Sequence, residues 1–231
     1  MADESLLDGL DPFELLDHEA DRVHRHFSSS PDWSQASRCE GWSTRDMLGH
    51  LMGLEDYTRA GLDGRVQDLF RAGEVAGVLD VGAFNDWQIS TYADVPVEEL
   101  VGRWREAQVA NRVDLRSRGR SGLVDTSVGD YSSWLQTFHY AVEYATHGDD
   151  VFVPVPDSER AERIEWRAVF GQFVLLELEK PVIVERGLAV SVTSDAGKAE
   201  LTPEEFVEAT QGRLSADHSL HPELRNLLAT V

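Results

Sequence analysis

A chain of 231 residues, 42% of them hydrophobic, carries enough apolar material for a sizeable core, which excludes the disordered and fibrous classes. Its 42 acidic against 21 basic side chains leave a net charge of −21 at pH 7, a field that repels nucleic-acid phosphates and anionic lipid. The lone Cys39 excludes an internal disulfide framework and a cysteine-rich zinc site. No apolar run approaches the roughly 18 to 20 residues that span a bilayer, and the first residues lack a basic flank followed by an apolar stretch. The chain therefore reads as soluble and cytoplasmic, with neither nucleic acid nor membrane as partner. Its only lysines are Lys180 and Lys198, an arginine bias that fits GC-rich coding and an actinobacterial host.

Residues 1–9 show no period and read as a flexible tail. Asp11-Pro12-Phe13-Glu14 then opens a helix, with Asp11 as cap and Pro12 at the first helical position. Phe13, Leu16, Ala20, Val23 and Phe27 give it one apolar face, and His18, His24 and His26 fall with Glu19 and Arg22 on the polar side. Ser43 to Asp46 starts a second helix, to about Arg59, with a capping-box-like pair. Five glycines interrupt residues 61–92, of which Val78 to Ile89 reads as helical. Pro96 begins a helix to about Arg116, and Asp130 to His147 makes the last long one of this half. These four long amphipathic helices predict an antiparallel bundle over residues 10–152. Pro154 and Pro156 mark a linker. Beyond it, residues 157–231 predict a small α+β domain. It has a helix to Leu178, a hairpin whose Leu188, Val190 and Val192 share a buried face, a further strand, and helices at Thr202 and Pro222.

The chemistry is carried by histidines inside the bundle. His50 falls within about 60° of Met47, Leu54 and Tyr57 on the helical wheel, so its imidazole faces the core and needs a partner. Glu143 and His147, four apart, project from one helix face beside an apolar stripe, where a carboxylate is costly unless paired or bound to a cation. Two arrangements satisfy these groups. Glu143 can pair with His147 while His50 bonds a backbone carbonyl. Alternatively, all three converge as a two-histidine, one-carboxylate set with an open coordination position for zinc or a similar ion. His139, one turn before Glu143, is a candidate fourth ligand or a substrate contact. Asp149 and Asp150 read as solvated charges at the helix end, unless the helix continues and Asp150 holds a ligand imidazole.

The run Cys39-Glu40-Gly41-Trp42-Ser43-Thr44-Arg45-Asp46-Met47-Leu48-Gly49-His50-Leu51, with Glu143-x3-His147-Gly148-Asp149-Asp150 after it, resembles the mycothiol-dependent maleylpyruvate isomerase family of the DinB-like superfamily. That resemblance implies a DinB-like four-helix bundle and a small C-terminal α+β domain. It also implies that His50, Glu143 and His147 are the ligands of zinc or another divalent metal. Arg213, in Gly212-Arg213-Leu214, matches the family's functional arginine. By the same resemblance the cosubstrate is mycothiol, whose metal-bound thiolate attacks a small electrophile. S-transfer is the favoured reaction, maleylpyruvate cis–trans isomerisation the alternative, and a noncatalytic binding module the reading of another class; a monomer or homodimer is expected. His139 stands where relatives often carry arginine, Cys39 reads as packing, and Trp42 reads as stapling the start of its helix.

Overall fold

The computed structural model describes residues 3–78 and 80–230. The chain divides into two compact units, one of residues 11–154 and one in which residues 3–10 join the stretch from 155 onward.

In the first unit the elements are α1 (Pro12–Ser28), α2 (Thr44–Leu62), α3 (Val66–Val75), α4 (Val81–Thr91), α5 (Val97–Arg118), a hairpin of β1 (Leu123–Thr126) and β2 (Gly129–Ser132), and α6 (Ser133–Asp150). Four long helices pack pairwise, α1 against α6 and α5, and α2 against α5. Asp11 caps α1 through the amides of Phe13 and Glu14, and Ser43 and Asp46 close a reciprocal capping box on α2. Leu16, Ala20, Val23 and Phe27 are buried as their spacing requires. The polar side of α1 is narrower than its sequence suggests: Glu19 and Arg22 are also buried, 3.4 Å apart, because the helix is packed on two sides, and His24 and His26 are half-buried. Salt bridges from Asp17 and Asp21 to Arg105, Arg112 and Arg116 tie α1 to α5.

Beneath the helix faces lies a buried polar knot. The Glu55 carboxylate on α2 accepts from Asn111 Nδ2 on α5 (2.7 Å) and from the Tyr144 hydroxyl on α6, which itself accepts from Trp104 Nε1 on α5 (3.0 Å). Three helices are thereby held in register about a turn and a half from His50.

The glycine-rich stretch between α2 and α5 folds into two short helices rather than one. α3 is an unexpected element, and the expected Val78–Ile89 helix begins at Val81, with Leu79 outside the described residues. Its glycines serve close approach. A Cβ on Gly61 would stand 2.7 Å from the Asp125 carbonyl oxygen, so the hairpin lies on α2 only where no side chain intervenes. Gly61→Ala is therefore expected to destabilise the protein by about 1–3 kcal/mol, read as a lower urea midpoint at unchanged slope; an unchanged midpoint would refute the contact. Residues 130–132 belong to strand β2 and not to the first turn of α6. Gly129, at φ 99°, turns the chain, the Thr126 hydroxyl donates to its carbonyl, and Ser132 caps α6.

In the second unit residues 3–10 are part of the body. Glu4–Leu7 makes a 3-10 turn whose Leu7 is buried, and this turn packs on α7 (Asp157–Glu177); of the expected tail, Met1 and Ala2 lie outside the described residues. The strands β3 (Ile183–Arg186), β4 (Val190–Ser194) and β5 (Gly197–Leu201) form an antiparallel meander with Val190 opposite Leu201 and Val192 opposite Ala199. Val190 and Val192 enter the core with Phe206 of α8 (Pro203–Thr210) and Leu224 of α9 (Pro222–Leu228). Leu188 does not join them: it sits in the turn between β3 and β4, fully exposed. Among the described residues no helix is long and apolar enough to cross a membrane.

Candidate metal centre

Periodicity brings three side chains from two helices to one point. His50 leaves the buried face of α2, and Glu143 and His147 leave consecutive turns of α6. His50 Nε2 stands 3.1 Å from His147 Nε2, which is 3.2 Å from Glu143 Oε2. Both imidazoles are buried, whereas the Glu143 side chain keeps 37% of its surface exposed.

The other face of His147 is fixed from behind. Its Nδ1 lies 3.1 Å from Asp150 Oδ2, and the same oxygen accepts the Cys39 thiol at 3.2 Å. Asp150 is completely buried, so it is not a solvated terminal charge; α6 runs to Asp150 and not merely to His147, which places that carboxylate one turn behind the ring. The backbone seals the arrangement, since the Arg38 amide donates to the Asp150 carbonyl. The Trp42 ring lies tilted against the His50 ring, centroids 5.0 Å apart, and donates Nε1 to Asp86 on α4, which ties the start of α2 to its neighbour.

Proton positions follow from these partners. An Nδ1–H given to the Asp150 carboxylate leaves His147 Nε2 with a lone pair aimed at the Glu143 oxygen and at His50 Nε2. Lone pair against carboxylate is repulsive, so the point needs a positive charge, either a second proton on His147 or a metal ion. The surroundings of the two groups act in the same sense. Burial alone would lower the pKa of His147, but the acceptors Asp150, Cys39 and Glu143 together raise it well above the usual histidine value. Burial likewise opposes the charge on Glu143, yet the bond to His147 and the fields of His147, His50 and His139 hold it well below the usual carboxylate range. Two imidazoles and one carboxylate form a donor set suited to zinc and similar divalent ions, and a carboxylate behind a ligating imidazole is the usual support.

Cys39, His147 and Asp150 form a second cluster with ligand atoms close enough for an ion. The first cluster borders a cavity: His50 and Glu143 line a space of about 490 Å³ with Leu54, Tyr57, Phe70 and Phe84, and Cys39 and Asp150 are not among its lining residues. An ion held by His50, Glu143 and His147 would therefore face a compartment able to admit a small molecule.

His139 is not among the converging ligand atoms. It is half-buried, with Nε2 at 3.5 Å from the Tyr131 hydroxyl on β2. Arg213 belongs to the other compact unit, after α8, where its guanidinium donates to the Gln211 carbonyl at 3.2 Å. The Cys39 link to Asp150 went unseen in the sequence because the two lie 111 positions apart. The His147–Asp150 contact, by contrast, has a local signal in the spacing His147-x2-Asp150. Asp150→Asn, which keeps the shape and removes the charge, is expected to weaken zinc binding about tenfold in a competitive chelator titration, with little loss of thermal stability; undiminished affinity would exclude a supporting role.

The model of the family described as mycothiol maleylpyruvate isomerase N-terminal domain matches residues 13–152, more than half of the chain. No curated protein and no solved structure matches it.

Proposed function

We propose that this chain, which belongs to the mycothiol maleylpyruvate isomerase N-terminal domain family, is a metal-dependent S-transferase that joins mycothiol to a small electrophile. Family membership implies a mycothiol-related function, and the finer reading rests on the convergence of His50, Glu143 and His147, of which His50 and Glu143 line a cavity. Three protein ligands leave a coordination position for a cosubstrate. A divalent ion held there would lower the pKa of a thiol, ordinarily near 8.5, so that it reacts as a thiolate at neutral pH.

The chain's own residues do the rest. Asp150 holds the His147 ring by its Nδ1–H and keeps Nε2 turned inward. Trp42 packs on the His50 ring and limits its rotation. The Glu55 knot keeps α2 and α6 at the spacing the ligand set needs. In a substitution the thiol's proton is lost to solvent, its sulfur forms the bond to carbon, and the leaving group departs with its electron pair. Part of the same proposal is that the four long helices form a DinB-like bundle, that residues 157–231 act as a separate C-terminal domain, and that the protein works in the cytoplasm of an actinobacterial host as a monomer or homodimer.

The family's description favours a second reading, maleylpyruvate isomerisation. That substrate is a dianion and needs cations, for which Arg213 is the candidate, since no lysine or arginine is among the described residues lining the cavity. Zinc-loaded protein with mycothiol should conjugate an uncharged electrophile such as 1-chloro-2,4-dinitrobenzene and leave maleylpyruvate unchanged. Isomerisation without conjugation would reverse the assignment, and Arg213→Ala would then abolish it.

A further inference from the structure

The cavity beside the metal centre is built from two kinds of surface. Leu54, Tyr57, Phe70, Val78, Val81 and Phe84 give it apolar surface, and His50, Asn85, Gln88 and Ser127 add neutral polar groups. Phe70 stands edge-on to Phe84 at 5.4 Å and lies 6.2 Å from Tyr57, so three aromatic rings form one continuous wall. Its acidic residues are Glu74, Asp80 and Glu143, and no lysine or arginine is among the described lining residues. Glu74 and Asp80 are exposed and Val81 is 77% exposed, which places them towards the open side. The chain's net charge of −21 extends the same sign outward.

We infer that the cavity takes an uncharged or cationic molecule of about one aromatic ring and rejects carboxylates. Aromatic faces attract cations, carboxylates at the mouth reinforce that attraction, and an anion meets Glu74, Asp80 and Glu143 with no lysine or arginine among the described lining residues to offset them. A volume of about 490 Å³ accommodates a substituted benzene ring. This rests on the transferase reading for the identification of the occupant as the electrophile, but its charge preference is a property of the cavity and is measurable without the metal or the thiol.

Three ligands of similar size and different charge test it: benzyltrimethylammonium, benzyl alcohol and phthalate, titrated calorimetrically into chelator-treated and into zinc-loaded protein. In the metal-free protein the cation is expected to bind at least tenfold more tightly than phthalate, with the alcohol between. Glu74→Gln combined with Asp80→Asn, which preserves the Asp80 cap on the Ala83 amide, should narrow that ratio several-fold and leave the alcohol unchanged. Phthalate binding as tightly as the cation to metal-free protein overturns the inference, as does a ratio indifferent to the double variant. Zinc uptake is measured separately: a protein that takes up no zinc but ranks the ligands as stated refutes the transferase reading and leaves the cavity's selectivity standing.

Discussion

Replacing His147 by alanine is expected to lower zinc affinity by more than about 100-fold, beyond the 10- to 100-fold that outer partners of a ligand carry. His147 is the shared member of the three converging side chains: Nε2 faces His50 at 3.1 Å and Glu143 at 3.2 Å, and Nδ1 lies 3.1 Å from Asp150. Without it the other two ligands sit on different helices with nothing between them. His50→Ala and Glu143→Gln should weaken binding through the same loss, whereas His139→Ala, which removes a partner of Tyr131, should leave zinc content intact. Zinc per chain after dialysis against a weak chelator gives the readout, and far-ultraviolet circular dichroism shows that the helices persist. Full zinc retention in His147→Ala would place the metal elsewhere.

Glu55→Gln is expected to make the protein more stable than wild type at pH 8 and to flatten its dependence on pH. Burial in the knot between α2, α5 and α6 pushes the Glu55 carboxyl from its ordinary 4.5 up to about 7, despite the hydrogen bonds from Tyr144 and Asn111 that favour its charge. A carboxyl with a raised folded pKa binds more protons folded than unfolded between those two values. Stability therefore falls as pH rises from about 4.5 to about 7 and is level above, with about 3 kcal/mol lost in all. Glutamine keeps the volume without the charge, its Oε1 able to accept from Asn111 and its amide nitrogen to donate to the Tyr144 hydroxyl oxygen. Urea midpoints at pH 5 and pH 8 should show the variant's advantage growing by about 2 kcal/mol, and parallel profiles in the two proteins would contradict a charged Glu55 at the higher pH.

Much of the centre was legible because helix geometry is periodic. Four residues separate Glu143 from His147, and the wheel places His50 among Met47, Leu54 and Tyr57, so each inward face is legible, while local pattern leaves open whether the three groups converge or pair separately. The caps at Asp11, Ser43 and Thr202 were equally local and set their helix starts. What lay hidden depends on long-range approach. Glu19 and Arg22 look solvated until α1 is packed on two sides. The aromatic wall comes from Phe70 and Phe84 in a stretch whose glycines suggested only interruption, because a glycine that admits a neighbouring backbone, as Gly61 does for Asp125, reads locally as a helix breaker. The β1–β2 hairpin escaped because its short strands merge into the pattern of the helix that follows.

The central claim is that His50, Glu143 and His147 hold an ion with a position open to a thiol. It is tested most directly by loading the protein with cobalt and following the visible and near-ultraviolet spectrum while mycothiol is added, with glutathione and the His147→Ala protein as controls. A thiolate-to-cobalt charge-transfer band that saturates at one mycothiol per chain, weaker with glutathione and absent in His147→Ala, is the predicted result. A cobalt spectrum unchanged by mycothiol would contradict it.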